Sequence, residues 1–547
     1  MMMPMHRAIL LCAAAAVTAA ACSGGSNDGS PIASSASVES ASAVAPGGVP
    51  ESTPTPAPTT ALAPALGESL DAPLTTTPEA TPRSPAIAVA VPCPEDVEAG
   101  IECASVEVPA DRVDPAAGSV VLPVAIARAT GRNPGRRALV VPAGGPGYAG
   151  LGDIAFFGQL PVRETHDIVT YDQRGTGRAT PSLECPERDE AAIATLQAAG
   201  DPADERASVA AAMTACRERL AAAGIDLDDY DSETNAADLD DVREALGYER
   251  WTILGISYGA RLALASMRSF PDGIESVILD SVYDVTYGGL AQTIDAANRG
   301  IDHLAAACAA DPSCSSRYPD LATTIASVRE RYNATPWEGD VALTDEASPE
   351  HFVITGDDIM AGLFQALYDA TLVPVLPSIL VALDTGDTSI IPVLLVESIP
   401  RLNGQADAMA LSFDCADNAG LSGVAAADAA VVADTSNRLS TAITTSYVPS
   451  CADWGVPPTS GQFNEPVVSP IPALVLAGSF DPITPPAGTE AVASRLERAT
   501  FALFPAQGHG VTGRGDCQTS IMRAFLADPS AELDTACVAA LTGPAWA

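Results

Sequence analysis

The sequence contains no lysine, because all 28 of its basic residues are arginine. With 69 acidic residues, its formal net charge at pH 7 is −41. The absence of lysine excludes a P-loop lysine, a pyridoxal Schiff base and a serine–lysine catalytic pair. A chain this acidic is repelled by nucleic acid, which we therefore do not expect as a partner. Histidine is also scarce, with five residues, and no CxxC or HExxH pattern occurs. We accordingly expect neither a metal nor a cofactor.

Long apolar runs are missing beyond the N-terminus, so no internal transmembrane helix is predicted. Residues 1–22 have the pattern of an export signal, with the apolar stretch Ala8–Ala21 after a short basic start. The small residues before Cys22 fit two interpretations: ordinary signal-peptidase cleavage, or a lipobox that places a lipid on Cys22. Ala19 stands where lipoboxes usually carry leucine. We expect a protein of the cell envelope or the extracellular space, whose membrane contact is limited to this lipid anchor.

The cysteine content agrees with export. Without Cys12 and Cys22, ten of the twelve cysteines remain, and ten free thiols would be unusual in an exported protein. Sequence alone does not fix their connectivity, and buried free thiols are the alternative. Proximity along the chain favours the pairs Cys93–Cys103, Cys185–Cys216, Cys308–Cys314, Cys415–Cys451 and Cys517–Cys537.

Composition divides the remaining chain into four parts. Residues 23–92 are rich in Ser, Thr, Ala and Pro and predict a disordered linker, because they cannot bury enough apolar surface to offset the entropy of ordering. In 93–285 and 470–547, apolar strand-like runs alternate with helical stretches, which predicts a mainly parallel α/β sheet with an antiparallel edge at its start. The intervening 286–469 is helical in character and predicts a layer inserted between two strands.

The main chemical motif is Gly255-Ile256-Ser257-Tyr258-Gly259, between the apolar run Trp251–Leu254 and the helical stretch Ala260–Ser269. A sharp strand-to-helix turn with small residues on either side exposes a serine hydroxyl above a sheet. The pentapeptide alone is a weak signal, and this strand-and-helix context gives it weight. We therefore predict that Ser257 is a nucleophile.

A serine hydroxyl needs a base, and in this arrangement the acid and the histidine follow the serine in the chain. Asp481 comes just after the predicted strand Ala473–Leu476, and His509, the one histidine beyond it, comes just after Thr500–Phe504. Each could instead be an ordinary loop residue. Their shared position at strand ends predicts a triad in which His509 accepts the proton of Ser257 and Asp481 orients the imidazole.

An oxyanion hole must accompany such a triad. We expect one donor to be the backbone N–H of Tyr258. The second is expected from the loop Pro142–Gly147, at Gly145 first and Gly144 second, where a side chain would obstruct the substrate. The alternative is a plain Gly/Pro turn. In the following Asp172–Gly177 motif, we expect Asp172 and Arg174 to pair and brace the catalytic loops.

Five motifs occur in one order and together resemble a known family: Gly144–Gly147, Asp172–Gly177, Gly255–Gly259, Asp481–Pro485 and Gly508–Gly510. The chain resembles the secreted tripeptidyl aminopeptidases of the α/β-hydrolase family, which are related to prolyl iminopeptidases. The resemblance spans about 93–547 and implies a hydrolase core with a helical cap, a TAP-like C-terminal domain, and release of short peptides from free N-termini. One departure is Ala143, where prolyl iminopeptidases usually carry histidine.

An aminopeptidase also needs a carboxylate for the substrate ammonium. Asp280, Asp284, Asp414 and Asp417 are unranked candidates. Two other functions stay open: an envelope carboxylesterase or lipase that uses the same triad, and a surface protein that uses the fold only for binding. The expected partner is thus a peptide or an ester.

Overall fold

A computed structural model describes residues 86–547 except 132–136, 199, 345–346, 403, 435–436, 438 and 440–450. The predicted signal, the lipid site at Cys22 and nearly all of the predicted linker lie outside the described residues. Within them, nine strands form one sheet in the order β1-β2-β3-β5-β4-β6-β7-β10-β11, and β8 and β9 form a separate hairpin. The strands are β1 Ala88–Val91, β2 Glu102–Pro109, β3 Ser119–Ala127, β4 Ala138–Pro142, β5 Asp167–Tyr171, β6 Trp251–Ser257, β7 Ile274–Val282, β8 Trp337–Val341, β9 Glu350–Ile354, β10 Ala473–Gly478 and β11 Ala499–Phe504.

Helices alternate with the parallel strands and form a long insertion between β7 and β10. They are α1 Ile154–Phe157, α2 Pro186–Gln197, α3 Pro202–Ala222, α4 Ser232–Ala245, α5 Tyr258–Ser269, α6 Leu290–Ala310, α7 Pro312–Ser315, α8 Leu321–Ala334, α9 Gly356–Ala366, α10 Leu376–Thr385, α11 Ile391–Leu402, α12 Asp407–Asn418, α13 Val424–Ala433, α14 Cys451–Trp454, α15 Pro486–Arg495, α16 Asp516–Ala527 and α17 Ala536–Ala539. None of the helices in the described part of the chain is long and apolar enough to cross a bilayer.

The sheet has the expected mixed architecture. β1, β2 and β3 pair antiparallel, and β3 runs antiparallel to β5. From β5 to β11 every neighbouring pair is parallel. The central strands β4 and β10 are buried along their whole length, as expected for parallel strands that are covered on both faces. This confirms the predicted mainly parallel α/β sheet with an antiparallel first edge.

Neighbouring residues of one strand enter different cores. Val140 and Ile253 pack in one buried apolar cluster, whereas Leu139 and Leu254 pack in another. Because side chains alternate between the two faces of a strand, the clusters lie on opposite sides of the sheet. The core is thus a three-layer sandwich, and the carboxyl ends of its parallel strands share one edge.

The first strand corrects one predicted boundary. β1 lies inside 23–92, which was predicted as a disordered linker, and its four residues pair antiparallel with Cys103–Val106 of β2. The uncharged sequence Ala-Val-Ala-Val suits a strand, and ladder hydrogen bonds with β2 pair the backbone groups on one side of this edge strand. Composition alone could not show this, since the partner strand supplies the stabilisation.

The insertion between β7 and β10 builds a third apolar cluster, formed mainly by α6 and α8–α11 together with the β8–β9 hairpin. We call residues 290–454 the cap. Ile193 and Leu196 of α2 also pack against this core, although α2 falls within the predicted core segment 93–285. The cap therefore draws on two separate stretches of the chain.

The ten cysteines form five disulfides, and these are the pairs that proximity favours: Cys93–Cys103, Cys185–Cys216, Cys308–Cys314, Cys415–Cys451 and Cys517–Cys537. Disulfides form and persist in oxidising compartments. The structure is consistent with an extracellular location.

Candidate active site

Ser257 ends β6 and directly precedes α5, at the sharp turn that its motif predicts. Its backbone has φ 60° and ψ −121°, a left-handed conformation that is strained for a residue with a side chain. The turn requires glycine at position 255, where a Cβ would lie 2.3 Å from the carbonyl oxygen of Gly259. The close approach of α5 to β6 therefore explains why residue 255 is a glycine. Ser257 itself lies at the carboxyl edge of the sheet, where β6 ends.

Asp481 and His509 meet at this same edge. His509 Nδ1 lies 2.9 Å from Asp481 Oδ2, and the aspartate side chain is fully buried whereas the imidazole is 11% exposed. Asp481 follows β10 and His509 follows β11, which are parallel neighbours. Because Nδ1 faces Asp481, the other ring nitrogen, Nε2, is directed away from the carboxylate, as a general base requires.

Further hydrogen bonds hold the Asp481 carboxylate. The backbone N–H groups of Ile483 and Thr484 donate to Oδ1 at 3.0 and 2.8 Å, and the Thr484 hydroxyl donates to Oδ2 at 2.7 Å. The Thr484 oxygen also lies 3.2 Å from His509 Nδ1. Sequence reasoning missed Thr484, although its spacing of three residues from an aspartate is a common side-chain-to-backbone turn signal.

Buried polar groups at the end of β7 bring the His509 loop close to Ser257. Asp280 Oδ2 accepts the N–H groups of Val511 and Thr512, each at 2.8 Å, and the Ser281 hydroxyl accepts the N–H of Gly510 at 2.9 Å. In the β6–β7 ladder, Asp280 is the partner of Ile256, the residue before Ser257. The loop that carries the imidazole is therefore fixed beside the end of the strand that carries the hydroxyl.

Asp481 and His509 shift each other's pKa in opposite directions. Burial opposes ionisation of both groups, but their mutual attraction prevails. It lowers the pKa of Asp481 below its ordinary value and raises the pKa of His509 above 6.5. Asp280 adds to the rise of the histidine pKa. Such a carboxylate stabilises an imidazolium that forms during proton transfer.

The predicted oxyanion loop lies against the nucleophile. A Cβ at Gly144 would be 3.5 Å from Ser257 Cβ, so this glycine leaves open the space beside the serine. Gly145 has φ +113°, where glycine is favoured. Tyr258, the other predicted donor, begins α5 directly after Ser257. The two candidate donor segments therefore flank the hydroxyl.

The cap covers the imidazole. The backbone N–H of His509 donates to the carbonyl of Tyr368 at 3.2 Å, and the Tyr368 ring packs against the imidazole with 5.0 Å between centroids. Tyr368 follows α9, about 140 residues before His509 in the sequence, and no local motif marks it. Its contact closes one side of the site against solvent.

The structure separates the four carboxylates proposed for the substrate amine. Asp280 anchors the His509 loop, Asp284 pairs with Arg495 at 2.8 Å, and Asp417 accepts hydrogen bonds from Ser232 and Arg261. Asp414 of α12 is half-buried and accepts the Tyr283 hydroxyl at 3.3 Å. The backbone N–H of Tyr283 donates to the carbonyl of Ser257 at 3.3 Å. Of the four, Asp414 is thus the least buried carboxylate, and Tyr283 links it to the backbone of the nucleophile.

The expected pairing of Asp172 with Arg174 is wrong. Arg174 is fully buried and forms two hydrogen bonds with Asp238 of α4, at 2.6 and 2.8 Å. Asp172 instead accepts the backbone N–H groups of Leu151 and Arg178, both at 2.8 Å. Both residues lie after the end of β5, in a turn closed by the N–H of Thr176 donating to the carbonyl of Gln173 at 3.0 Å, so the strand rule that puts residues two apart on one face does not hold there. Each still braces a loop beside the site, but with its own partner.

Among the described residues, no cluster of three or more His, Cys, Asp and Glu side chains is placed to hold a metal ion. This edge of the sheet thus carries a strained serine and an imidazole paired with a buried carboxylate. It also carries two candidate backbone donors, one in the glycine-rich loop after β4 and one at the start of α5. This is the donor set for acyl transfer through a serine ester.

Comparisons with known proteins agree with this geometry. Residues 137–340 match a family model described as alpha/beta hydrolase fold, and residues 437–537 match one described as TAP-like protein. "Serine protease Hip1" of Mycobacterium tuberculosis is 27% identical over 465 residues, which cover 79% of this chain and 86% of that protein. Ser257 lies in the segment that matches the alpha/beta hydrolase fold model, and Asp481 and His509 lie in the segment that matches the TAP-like model.

Two shorter similarities concern other hydrolases. "Tripeptidyl aminopeptidase" of Streptomyces lividans is 31% identical over 197 residues, 33% of this chain and 35% of that protein. "Carboxylesterase B" of Mycobacterium tuberculosis is 27% identical over 246 residues, 42% of this chain and 45% of that protein.

Proposed function

Because the chain belongs to the α/β-hydrolase family with a TAP-like C-terminal domain and is a serine hydrolase, we propose that it is an exported aminopeptidase that releases short peptides, of the tripeptidyl type, from free N-termini. One observation carries the proposal. The Asp481–His509 pair lies at the sheet edge that carries the strained Ser257, and a cap segment covers it. A covered site of this kind favours substrates that enter by one end.

The proposed reaction is acyl transfer in two steps. His509 Nε2 takes the hydroxyl proton as Ser257 Oγ attacks the scissile carbonyl, and the backbone N–H of Tyr258 and that of Gly145 or Gly144 bind the oxyanion. The proton then passes to the leaving amine, the peptide C–N bond breaks, and an acyl-enzyme remains on Ser257. Water hydrolyses that ester with His509 again as base. Asp481 stays ionised and holds the imidazole tautomer throughout.

The proposed specificity element is Asp414. A free N-terminus is an ammonium group, and a half-buried carboxylate binds such a cation in a charge-assisted hydrogen bond. Asp414 is linked through Tyr283 to the carbonyl of Ser257, so its distance from the nucleophile is fixed by the fold. That fixed distance would set how many residues are released.

We expect N-acetylation of a tripeptide anilide to lower kcat/KM by about 100-fold or more, because it removes the ammonium partner of Asp414. Asp414→Asn should raise KM for the free-amine substrate by about tenfold and leave hydrolysis of a p-nitrophenyl ester nearly unchanged. Asp428→Asn is the matched control, a half-buried cap aspartate that accepts the N–H of Ala291 at 2.8 Å.

The similarity to "Carboxylesterase B" makes an esterase the second candidate. An esterase would hydrolyse the short-chain ester and neither anilide. Equal rates on the free and the acetylated anilide would exclude an aminopeptidase and indicate an endopeptidase.

We also propose export with a lipid on Cys22. The full chain expressed in a bacterial host with a lipoprotein pathway should partition into the detergent phase of Triton X-114, because an acyl anchor buries about 0.8 kcal/mol per CH₂ in the micelle. Cys22→Ala should move the protein to the aqueous phase, and Cys12→Ala should not. An aqueous wild-type chain would contradict lipidation and favour simple secretion.

A further inference from the structure

The two candidate oxyanion donors belong to different parts of the fold. One lies in the loop after β4, at Gly144 or Gly145, and the other is the first residue of α5, Tyr258. A tetrahedral intermediate is stabilised only when both N–H groups point at one oxygen, and a misplacement of about 1 Å can cost about 100-fold in rate. Some interaction must therefore hold the loop and the helix start in register.

A buried hydrogen-bonded chain connects the two segments. Gln173 Nε2 donates to the carbonyl of Ala143 at 2.8 Å. Asn235 Nδ2 donates to Gln173 Oε1 at 2.5 Å and to the Tyr258 hydroxyl at 3.4 Å. All four residues are at most 4% exposed, so water does not compete for these bonds.

The donor and acceptor roles along this hydrogen-bonded series are chemically determined. A backbone carbonyl only accepts hydrogen bonds, so the Gln173 amide must present its NH₂ group to Ala143 and its oxygen to Asn235. That oxygen in turn requires the NH₂ group of Asn235. The Asn235 oxygen is left buried without a hydrogen-bond partner, which costs stability. Asn235 thus takes part in this hydrogen-bonded series through its NH₂ group alone.

The contact with Ala143 acts on the oxyanion loop directly. The Ala143 carbonyl and the Gly144 N–H belong to one planar peptide group and point in opposite directions. Fixing the carbonyl therefore fixes the Gly144 N–H and the start of the Gly144–Gly145 peptide. At the other end, the Tyr258 ring is held by the Ser232 hydroxyl at 3.0 Å and by an edge contact with Phe413.

We propose that Gln173 and Asn235 are positioning residues that hold the two oxyanion donors in register, although neither touches substrate. Gln173 replaces the expected Asp172–Arg174 pair as the functional part of that motif. The proposal rests on Ser257 being the nucleophile, but it does not depend on whether the substrate is a peptide or an ester.

The test compares Gln173→Met and Asn235→Leu, which keep the shape of each side chain and remove its hydrogen bonds. Turnover of p-nitrophenyl acetate is measured per active site, counted by labelling with a fluorophosphonate. We expect kcat to fall about 10- to 100-fold with KM changed less than about twofold, because the lost interaction acts on the transition state. Affinity for a trifluoromethyl ketone, which forms an oxyanion on serine, should fall by a similar factor.

Two comparisons separate positioning from general structural damage. The double variant should be no worse than the more impaired single variant, since both act through one chain. Thr252→Val is the control, because Thr252 is buried on the same strand as Ser257 and its hydroxyl pairs with the Ser276 hydroxyl at 2.9 Å, away from the hydrogen-bonded series described above. It should change the melting temperature but neither kcat nor ketone affinity.

Single variants that keep kcat and ketone affinity within twofold of wild type would overturn the proposal, as would additive losses in the double variant. If Gln173→Met does not fold, Asn235→Leu decides the question, because it also removes an unpartnered buried oxygen. Failure of wild type to label at Ser257 would instead overturn the proposed catalytic function, and that result is read before any variant is compared.

Discussion

Ser257→Ala is expected to lower kcat by about 10³-fold or more and to abolish covalent labelling by a fluorophosphonate probe. The substitution removes the atom that forms the acyl-enzyme, and only binding and oxyanion stabilisation would remain. The side chain is small and lies at the edge of the sheet, so the fold should be retained. Active-site labelling followed by mass spectrometry, with kcat from an anilide or ester substrate, measures both effects.

A matched control for this substitution is Ser266→Ala. Ser266 is a buried serine of α5, the helix that follows the nucleophile, and its hydroxyl donates to the carbonyl of Leu262 at 2.9 Å. This variant should label and turn over like wild type. Labelling that persists in Ser257→Ala would remove this serine from the mechanism and revive the interpretation of the fold as a binding protein.

Asp481→Asn is expected to lower kcat by about 10⁴-fold while KM changes little. The amide keeps the shape of the carboxylate, but its NH₂ group can face His509 Nδ1 and stabilise the wrong imidazole tautomer. Asp358→Asn is the control, since Asp358 is a half-buried cap aspartate that also accepts a threonine hydroxyl and a threonine N–H. A loss of less than about tenfold in Asp481→Asn would show that another group orients the histidine.

The same variant tests the electrostatics of the pair. In the wild type, attraction to Asp481 raises the pKa of His509 above 6.5, and the imidazole must be neutral to act as base. Activity should therefore be lost as pH falls through this raised pKa, so the acid limb of kcat/KM lies above pH 6.5. Removing the negative charge should move that limb of the residual activity to lower pH. If the acid limb does not move, it reports the titration of a group other than His509.

Local patterns were sufficient for the central elements of the fold. β10 contains the predicted strand Ala473–Leu476, and α5 begins two residues before the predicted helix Ala260–Ser269. These segments are continuous apolar runs or helices with flanking glycines, so burial and turn chemistry act on neighbouring residues. β1 was missed because its stability depends on pairing with β2, and the contribution of α2 to the cap was missed because it depends on a distant apolar core.

The same distinction holds for the site. The motif around Ser257 and the order of Asp481 and His509 along the chain were visible without coordinates. The contacts of Tyr368 and Asp280 with the His509 loop were not, because residues more than 100 positions apart form them. The predicted partner of Arg174 was wrong for a similar reason, since its actual partner Asp238 lies on α4, 64 residues further along the chain.

The sequence by itself determined the chemical inventory of this protein: a serine in a strand-to-helix turn, an aspartate and a histidine after later strands, and glycines beside them. Periodicity and turn chemistry are local properties, and these residues express them locally. Only the tertiary structure decided that the Asp481 carboxylate and the His509 imidazole touch, that Asp414 is the least buried of the four candidate acids, and that Gln173 joins Ala143 to Asn235. Those relations arise when parallel strand ends and the cap converge at one edge, and packing between distant segments fixes that convergence.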